Sequence, residues 1–173
     1  ELPEGETAEE KILDLDFNDG RHPFNGWGNN SSRGVENGVF KVSNPSAVNS
    51  WEAQFAYDVQ TPFENGREYK LKFKIKGSSV GRLSSGFQIT DGYRSAGEFP
   101  GVQFNTQWKD VEITCQCNAS GATRLIFSFG EFVGDIYIDD FEFIALGVDY
   151  KIVDMTPEEK KEALTQAMER WIK

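Results

Sequence analysis

Histidine is nearly absent from this chain. The one copy, His22, sits in a stretch with loop composition. No nucleophile elbow, phosphate loop or metalloprotease helix motif occurs, and these are the arrangements in which a few residues announce catalysis. Carboxylates are plentiful, but nothing marks two of them as a glycosidase pair. Cysteine is scarce too: Cys115 and Cys117 are the only two. Two positions apart on a strand, they share a face and are too close to bridge without strain. Two thiols alone make no zinc site, so they read as small buried hydrophobes. Positive charge is in deficit, with 18 Lys and Arg against 28 Asp and Glu and a net charge of −10. That balance argues against nucleic acid and anionic membranes as partners, since phosphate binding needs clustered Lys and Arg. No apolar run approaches the length of a membrane-spanning helix. No signal peptide is recognisable, and the opening Glu-Leu-Pro-Glu-Gly-Glu-Thr reads as the edge of a piece cut from something longer.

What the chain does have is aromatics and turns. Aromatic residues make up 13%, 14 of them Phe, beside 17 Gly. This mixture suits an all-β domain with many turns. The 173 residues allow one domain and an appendage. The division expected is a flexible acidic lead-in over 1–10, a β-sandwich over 11–147, and a linker with a helix over 148–173. The clearest strand is Tyr69-Lys70-Leu71-Lys72-Phe73-Lys74-Ile75-Lys76, with apolar residues facing in and lysines facing water. Others are expected at 11–17, 39–42, 50–59, 86–90, 108–117, 123–129 and 135–144, with a long loop over 18–34. Many short strands between turn signals favour a sandwich over a βαβ fold. Near the end, Thr156-Pro157-Glu158-Glu159 is a helix start with a capping box. Ala163, Leu164, Ala167, Met168, Trp171 and Ile172 follow at helical spacing.

Two questions about sites follow. The last strand puts a carboxylate, Asp139, in phase with Tyr137, Phe141 and Phe143, and a buried carboxylate must be paired, hydrogen-bonded, protonated or metal-bound. Calcium takes carboxylate, amide and carbonyl oxygens, and Asp16-Phe17-Asn18-Asp19-Gly20 at the end of the first strand could face Asp139. A plain hydrogen-bonded Asp is the alternative. The second question concerns aromatics. Sugar rings present flat C–H faces ringed by hydroxyls, which exposed aromatic planes and amide or charged side chains recognise. Trp51 with Gln54, Gln88, the loop from Asp91 through Tyr93, Arg94, Glu98 and Phe99, and Asn29-Asn30 supply that chemistry. Strict alternation puts Trp51 and Gln54 on opposite faces, so a bulge or twist is needed to unite them. Trp27, Trp108 and Trp171 read as packing residues.

From about Ile12 to Ile144 the chain resembles carbohydrate-binding modules of the family 4, 9 and 22 type. The matching pieces are Leu15-Asp16-Phe17-Asn18 followed by Trp27, Trp51-Glu52-Ala53-Gln54, Trp108-Lys109, and Tyr137-Ile138-Asp139-Asp140-Phe141. The resemblance implies a galactose-binding-like jelly-roll β-sandwich without catalytic residues. It implies a structural calcium on Asp16, Asn18 and Asp139, although the family usually has Glu where Asn18 stands. It also implies xylan or xylo-oligosaccharide binding on a concave face, with Trp51, Gln54, Gln88, Tyr93, Arg94, Glu98, Phe99 and Asn30 as candidates. The tail, with Asp154-Met155-Thr156-Pro157 and Met168-Glu169-Arg170-Trp171-Ile172, resembles a segment of a family 10 glycoside hydrolase. By that resemblance the module is inserted in a xylanase whose catalytic domain belongs to the same chain. The expectations that go with it are a monomer, an extracellular or cell-surface location, and no membrane insertion. The rival readings are a module for another β-glycan such as mixed-linkage glucan, and a spacer that binds no glycan.

Overall fold

The structure is a computed structural model that describes residues 9–147. The acidic lead-in and the C-terminal helix expected from sequence fall almost entirely outside these residues. Twelve strands are formed: β1 (Glu10–Leu15), β2 (Asn25–Trp27), β3 (Ser32–Glu36), β4 (Val39–Asn44), β5 (Gln54–Asp58), β6 (Glu68–Gly77), β7 (Gly81–Ile89), β8 (Arg94–Glu98), β9 (Val102–Phe104), β10 (Lys109–Gln116), β11 (Arg124–Ser128) and β12 (Gly134–Ala145). They build two antiparallel sheets. One runs β10-β6-β12-β4-β3, with β1 also paired to β12; the other runs β2-β5-β11-β7-β8, with β9 also paired to β7. This is the all-β sandwich that the strand pattern implies. Among the described residues no helix is long and apolar enough to cross a membrane.

Phenylalanine fills the space between the sheets. Phe40 of β4 meets Phe55 of β5 at 5.3 Å, and Phe141 of β12 meets Phe127 of β11 at 6.0 Å. Further along, Tyr69 of β6 meets Phe87 of β7 at 5.0 Å. Each fully buried ring is worth about 2 kcal/mol, whereas an exposed ion pair adds at most about 1 kcal/mol. The aromatic layer therefore holds the sheets together, and the lysine face of β6 does not. Tyr69, Leu71, Phe73 and Ile75 are all buried there. Their lysine neighbours meet solvent and scattered acids, such as Glu112 beside Lys72. Trp108, just before β10, is partly exposed and carries Lys76 over its ring at 4.9 Å. Cys115 and Cys117 are buried free thiols.

The structure corrects the reading of the last strand. Between Asp139 and Glu142 the register of β12 against β6 shifts, and Asp140 takes φ 48. This bulge inserts a residue and reverses the alternation. Ile136 and Ile138 face the core before it, and Phe141 and Phe143 after it. Asp139 shares a face with Tyr137 but not with the two phenylalanines, and it is only partly buried. The long loop expected over 18–34 is also corrected, since β2 and the start of β3 form inside it. Asn37-Gly38, with φ 53 and 75, makes the two-residue turn that pairs β3 with β4. β3 carries Arg33 and Gly34 where an apolar side chain would have marked a strand.

Candidate functional site

The outer face of the second sheet can be read from its register, because directly opposed residues share a face. In one row Trp27 stands opposite Gln54, Gln54 opposite Ser128, and Ser128 opposite Ser84. Two positions along, Asn25, Ala56, Ile126 and Gly86 line up, and beyond them Asp58, Arg124 and Gln88. Ala56 and Gly86 keep part of the middle row low, and larger polar and aromatic side chains flank it. The result is an open cleft of about 650 Å³ lined by Trp27, Trp51, Gln54, Gln88, Tyr93 and Arg124.

Trp51 reaches the cleft because the chain does not run as a strand through 50–59. Ser50–Glu52 is a 3-10 turn with a capping box between Asn49 and Glu52, and the strand starts at Gln54. The turn breaks the period-2 alternation, which is how Trp51 and Gln54 come to line one cleft. Two glycines fix it from opposite sides. A Cβ on Gly28 would lie 2.0 Å from Glu52 O, and one on Gly130 would lie 2.0 Å from Asn49 O. The Gly130 N–H donates to Ser50 O at 3.0 Å, and the Val48 N–H to Gly130 O at 2.8 Å. Held in this way, Trp51 is 65% exposed, an aromatic plane presented to solvent. Tyr93 is 74% exposed. It stands on the turn between β7 and β8 with φ 51, after Gly92 at φ 81. A bulky residue with positive φ is uncommon, and here it sits in a turn whose backbone closes from the Tyr93 N–H to Thr90 O at 3.4 Å.

Two hydrogen-bonded chains, joined by one stacking contact, run along the cleft. Trp27 Nε1 donates to Gln54 Oε1 at 3.0 Å, and Gln54 Nε2 donates to Ser128 Oγ at 3.0 Å. The guanidinium of Arg124 lies over the Trp27 ring at 4.8 Å. Its Nε donates to Asp58 Oδ1 at 2.7 Å and its Nη1 to Gln88 Oε1 at 3.3 Å. Asn25 Nδ2 donates to the other Asp58 oxygen at 2.9 Å. Ala56, in the row between them, has no exposure left. The stack and the bonds fix the rotamers of Trp27, Gln54 and Arg124 before any ligand arrives, so little ordering cost remains for binding.

Of the sugar-binding candidates, Trp51, Gln54, Gln88 and Tyr93 are brought together here. Arg94 and Glu98 on β8 and Asn30 in the β2–β3 loop are exposed but do not line the cleft. Phe99 is a correction: it is 5% exposed and packs on Phe87 at 5.4 Å in the core. Trp27 and Arg124 are cleft residues that sequence reasoning passed over. A glycine-rich loop hid the strand that carries Trp27, and nothing in a half-buried strand distinguishes Arg124 from a surface charge.

The calcium candidates lie on the other sheet. Asp16 Oδ1 accepts the Asn18 N–H at 2.9 Å across Phe17, whose φ is 60. Burial holds the Asp139 carboxyl above its ordinary range, and the nearby charges of Asp140 and Asp16 add to the effect. The Asp140 N–H, bonded to Asp139 Oδ1 at 2.8 Å, and the Lys74 ammonium oppose it. Asp16, in the turn after β1, is thus near enough to Asp139 on β12 for its charge to act on that carboxyl. Asn18 turns its Oδ1 over Gly38. Among the described residues no group of three or more His, Cys, Asp or Glu is gathered for a metal. A cation here would draw on amide or backbone oxygens as well, which calcium accepts.

A family model described as a carbohydrate binding domain matches residues 9–131. None of the curated proteins matches the chain. Among solved structures, the apo form of BiXyn10A CBM1 is similar at 23% identity, covering 81% of this chain and 99% of that one with a TM-score of 0.62. A CBM4 structure is similar at 18% identity over 79% of this chain and 94% of that one, with a TM-score of 0.61. The second N-terminal cellulose-binding domain of Cellulomonas fimi β-1,4-glucanase C is similar at 19% identity over 80% and 95%, with a TM-score of 0.60. At these identities the likeness is one of fold.

Proposed function

The chain belongs to the carbohydrate binding domain family as a non-catalytic binding module, and from that premise we propose that its ligand is an internal stretch of xylan lying in the Trp51–Tyr93 cleft. One observation supports this most. Two exposed aromatic planes and a polar floor line a single open cleft on one sheet face. A polymer can lie along such a cleft without presenting an end, stacking its ring faces on the aromatics while its hydroxyls meet Gln54, Gln88 and Arg124.

In this reading the module holds an attached family 10 xylanase on its substrate by raising local concentration. It works as a monomer outside the cell or on its surface, where the polymer is. Calcium on Asp16, Asn18 and Asp139 would tie β1 to β12 without touching ligand. The similarity to a cellulose-binding domain favours a β-glucan as the second reading.

Affinity electrophoresis through gels containing xylan, mixed-linkage glucan or hydroxyethyl cellulose tests the proposal. Retardation by xylan beyond the glucans is expected. Stronger retardation by a glucan would select the second reading, and no retardation in any gel by folded protein would leave a spacer.

A further inference from the structure

The cleft floor is uneven in its hydrogen-bonding capacity. Each amide oxygen on it already receives a bond from within the protein, Gln54 Oε1 from Trp27 and Gln88 Oε1 from Arg124, and behind Arg124 the two oxygens of Asp58 receive bonds from Arg124 and Asn25. The nitrogens are different. Arg124 Nη2 and the Gln88 amide nitrogen meet no protein acceptor among the described residues, and Gln54 Nε2 spends only one bond, on Ser128. The floor therefore has N–H groups free to donate to a ligand's oxygens, while each amide oxygen keeps a second lone pair for a ligand hydroxyl.

A floor of donors that includes a guanidinium would ordinarily suit a carboxylate, through short charge-assisted bonds. Asp58 changes that. Its carboxylate, 2.7 Å from Arg124 Nε, neutralises the guanidinium. Arg124 itself is 18% exposed, bonded to Gln88 and stacked over Trp27, so its place beside Asp58 is set on three sides. A ligand carboxylate at Nη2 would sit beside the Asp58 carboxylate, which borders the cleft behind Arg124, and like charges that close repel. A sugar hydroxyl at the same place accepts the N–H with no such repulsion. The chain's net charge of −10 acts in the same direction at long range.

We propose that the cleft selects uncharged glycans and rejects uronate-bearing ones, with Arg124 donating to ligand oxygens and Asp58 acting as the charge that excludes carboxylates. This rests on the glycan reading of the cleft and adds to it which sugars are refused and why.

Three β-1,4-linked hexamers differ only in the group on ring carbon 5: xylohexaose carries hydrogen, cellohexaose a hydroxymethyl, and the glucuronate hexamer a carboxylate. Calorimetry of the wild-type protein with each is expected to show binding of at least one neutral hexamer and none of the glucuronate hexamer. Asp58→Asn removes the charge and keeps an oxygen for Arg124, and its amide nitrogen can meet Asn25 once the Asn25 amide turns to present its own oxygen. It is expected to gain glucuronate binding by roughly tenfold or more and to lose that gain as salt rises. Adding Arg124→Gln to it should abolish the gain.

Wild-type binding of the glucuronate hexamer as tight as that of the neutral ones overturns the proposal, and so does an Asp58→Asn variant that melts normally and gains nothing. Should Asp58→Asn fail to fold, the wild-type comparison at low and high salt still decides, because exclusion by charge relaxes with salt and exclusion by shape does not. Wild-type protein that binds no hexamer at all sinks the glycan reading itself.

Discussion

Trp27 Nε1 and Gln54 Oε1 are hydrogen-bonded at 3.0 Å across the β2–β5 register, with Arg124 stacked on the indole at 4.8 Å. The bond joins an edge strand of three residues to the middle of the sheet and sets the angle of the indole in the cleft. Trp27→Phe keeps the ring area but removes the donor. It is expected to cost about 1 kcal/mol of stability by chemical denaturation and to weaken glycan binding. An unchanged denaturation midpoint would show that the bond does not anchor the strand.

Trp51 serves the ligand and not the core. It is 65% exposed and lies outside the buried layer. Trp51→Ala is expected to abolish retardation in xylan gels with a melting curve like that of the wild type. Undiminished retardation would place the stacking platform elsewhere.

Gly130 bears on both properties. A methyl there would collide with Asn49 O at 2.0 Å, and backbone cannot give way as a flexible side chain can. Gly130→Ala is expected to displace the Trp51 turn, lowering stability by about 1–3 kcal/mol and reducing binding as well. A variant with wild-type melting and wild-type retardation would show that the turn needs no such seat.

If calcium joins Asp16 to Asp139, a chelator should lower the melting temperature, and added calcium should restore it, by linkage to the folded state. Asp139→Asn should remove the response. Its melting temperature in chelator should be no lower than that of the wild type, because an uncharged amide escapes the repulsion of Asp140 and Asp16. A chelator-insensitive wild-type protein would leave Asp139 satisfied by the Asp140 N–H alone.

The thiols give a pH dependence. Burial pushes Cys115 up to about 11, with the nearby Cys117 adding to it, and burial raises Cys117 too. The thiolate is the reactive form, so neither should react with a thiol reagent at pH 8 until the protein unfolds. The unfolded chain ionises its thiols first as pH rises. Cys115 therefore contributes stability that is intact below the ordinary thiol value and lost as pH climbs through about 11. Cys115→Ala should flatten the fall in stability over that window.

Sequence alone determined the sandwich. Alternation in Tyr69–Lys76, many short runs between turns and an excess of Phe each point to half-buried antiparallel strands, and such patterns are local. It also supplied Trp51, Gln54, Gln88 and Tyr93 as residues suited to a sugar. What it could not decide was which of them meet. Period-2 alternation placed Trp51 and Gln54 on opposite faces and Asp139 in the core. A 3-10 turn held between Gly28 and Gly130 reversed the first expectation, and a bulge at Asp140 reversed the second. Both depend on contacts between segments far apart in the chain, which no local period records. For the same reason Arg124 stayed hidden: its role comes from Asp58, Gln88 and Trp27, which only strand pairing places around it.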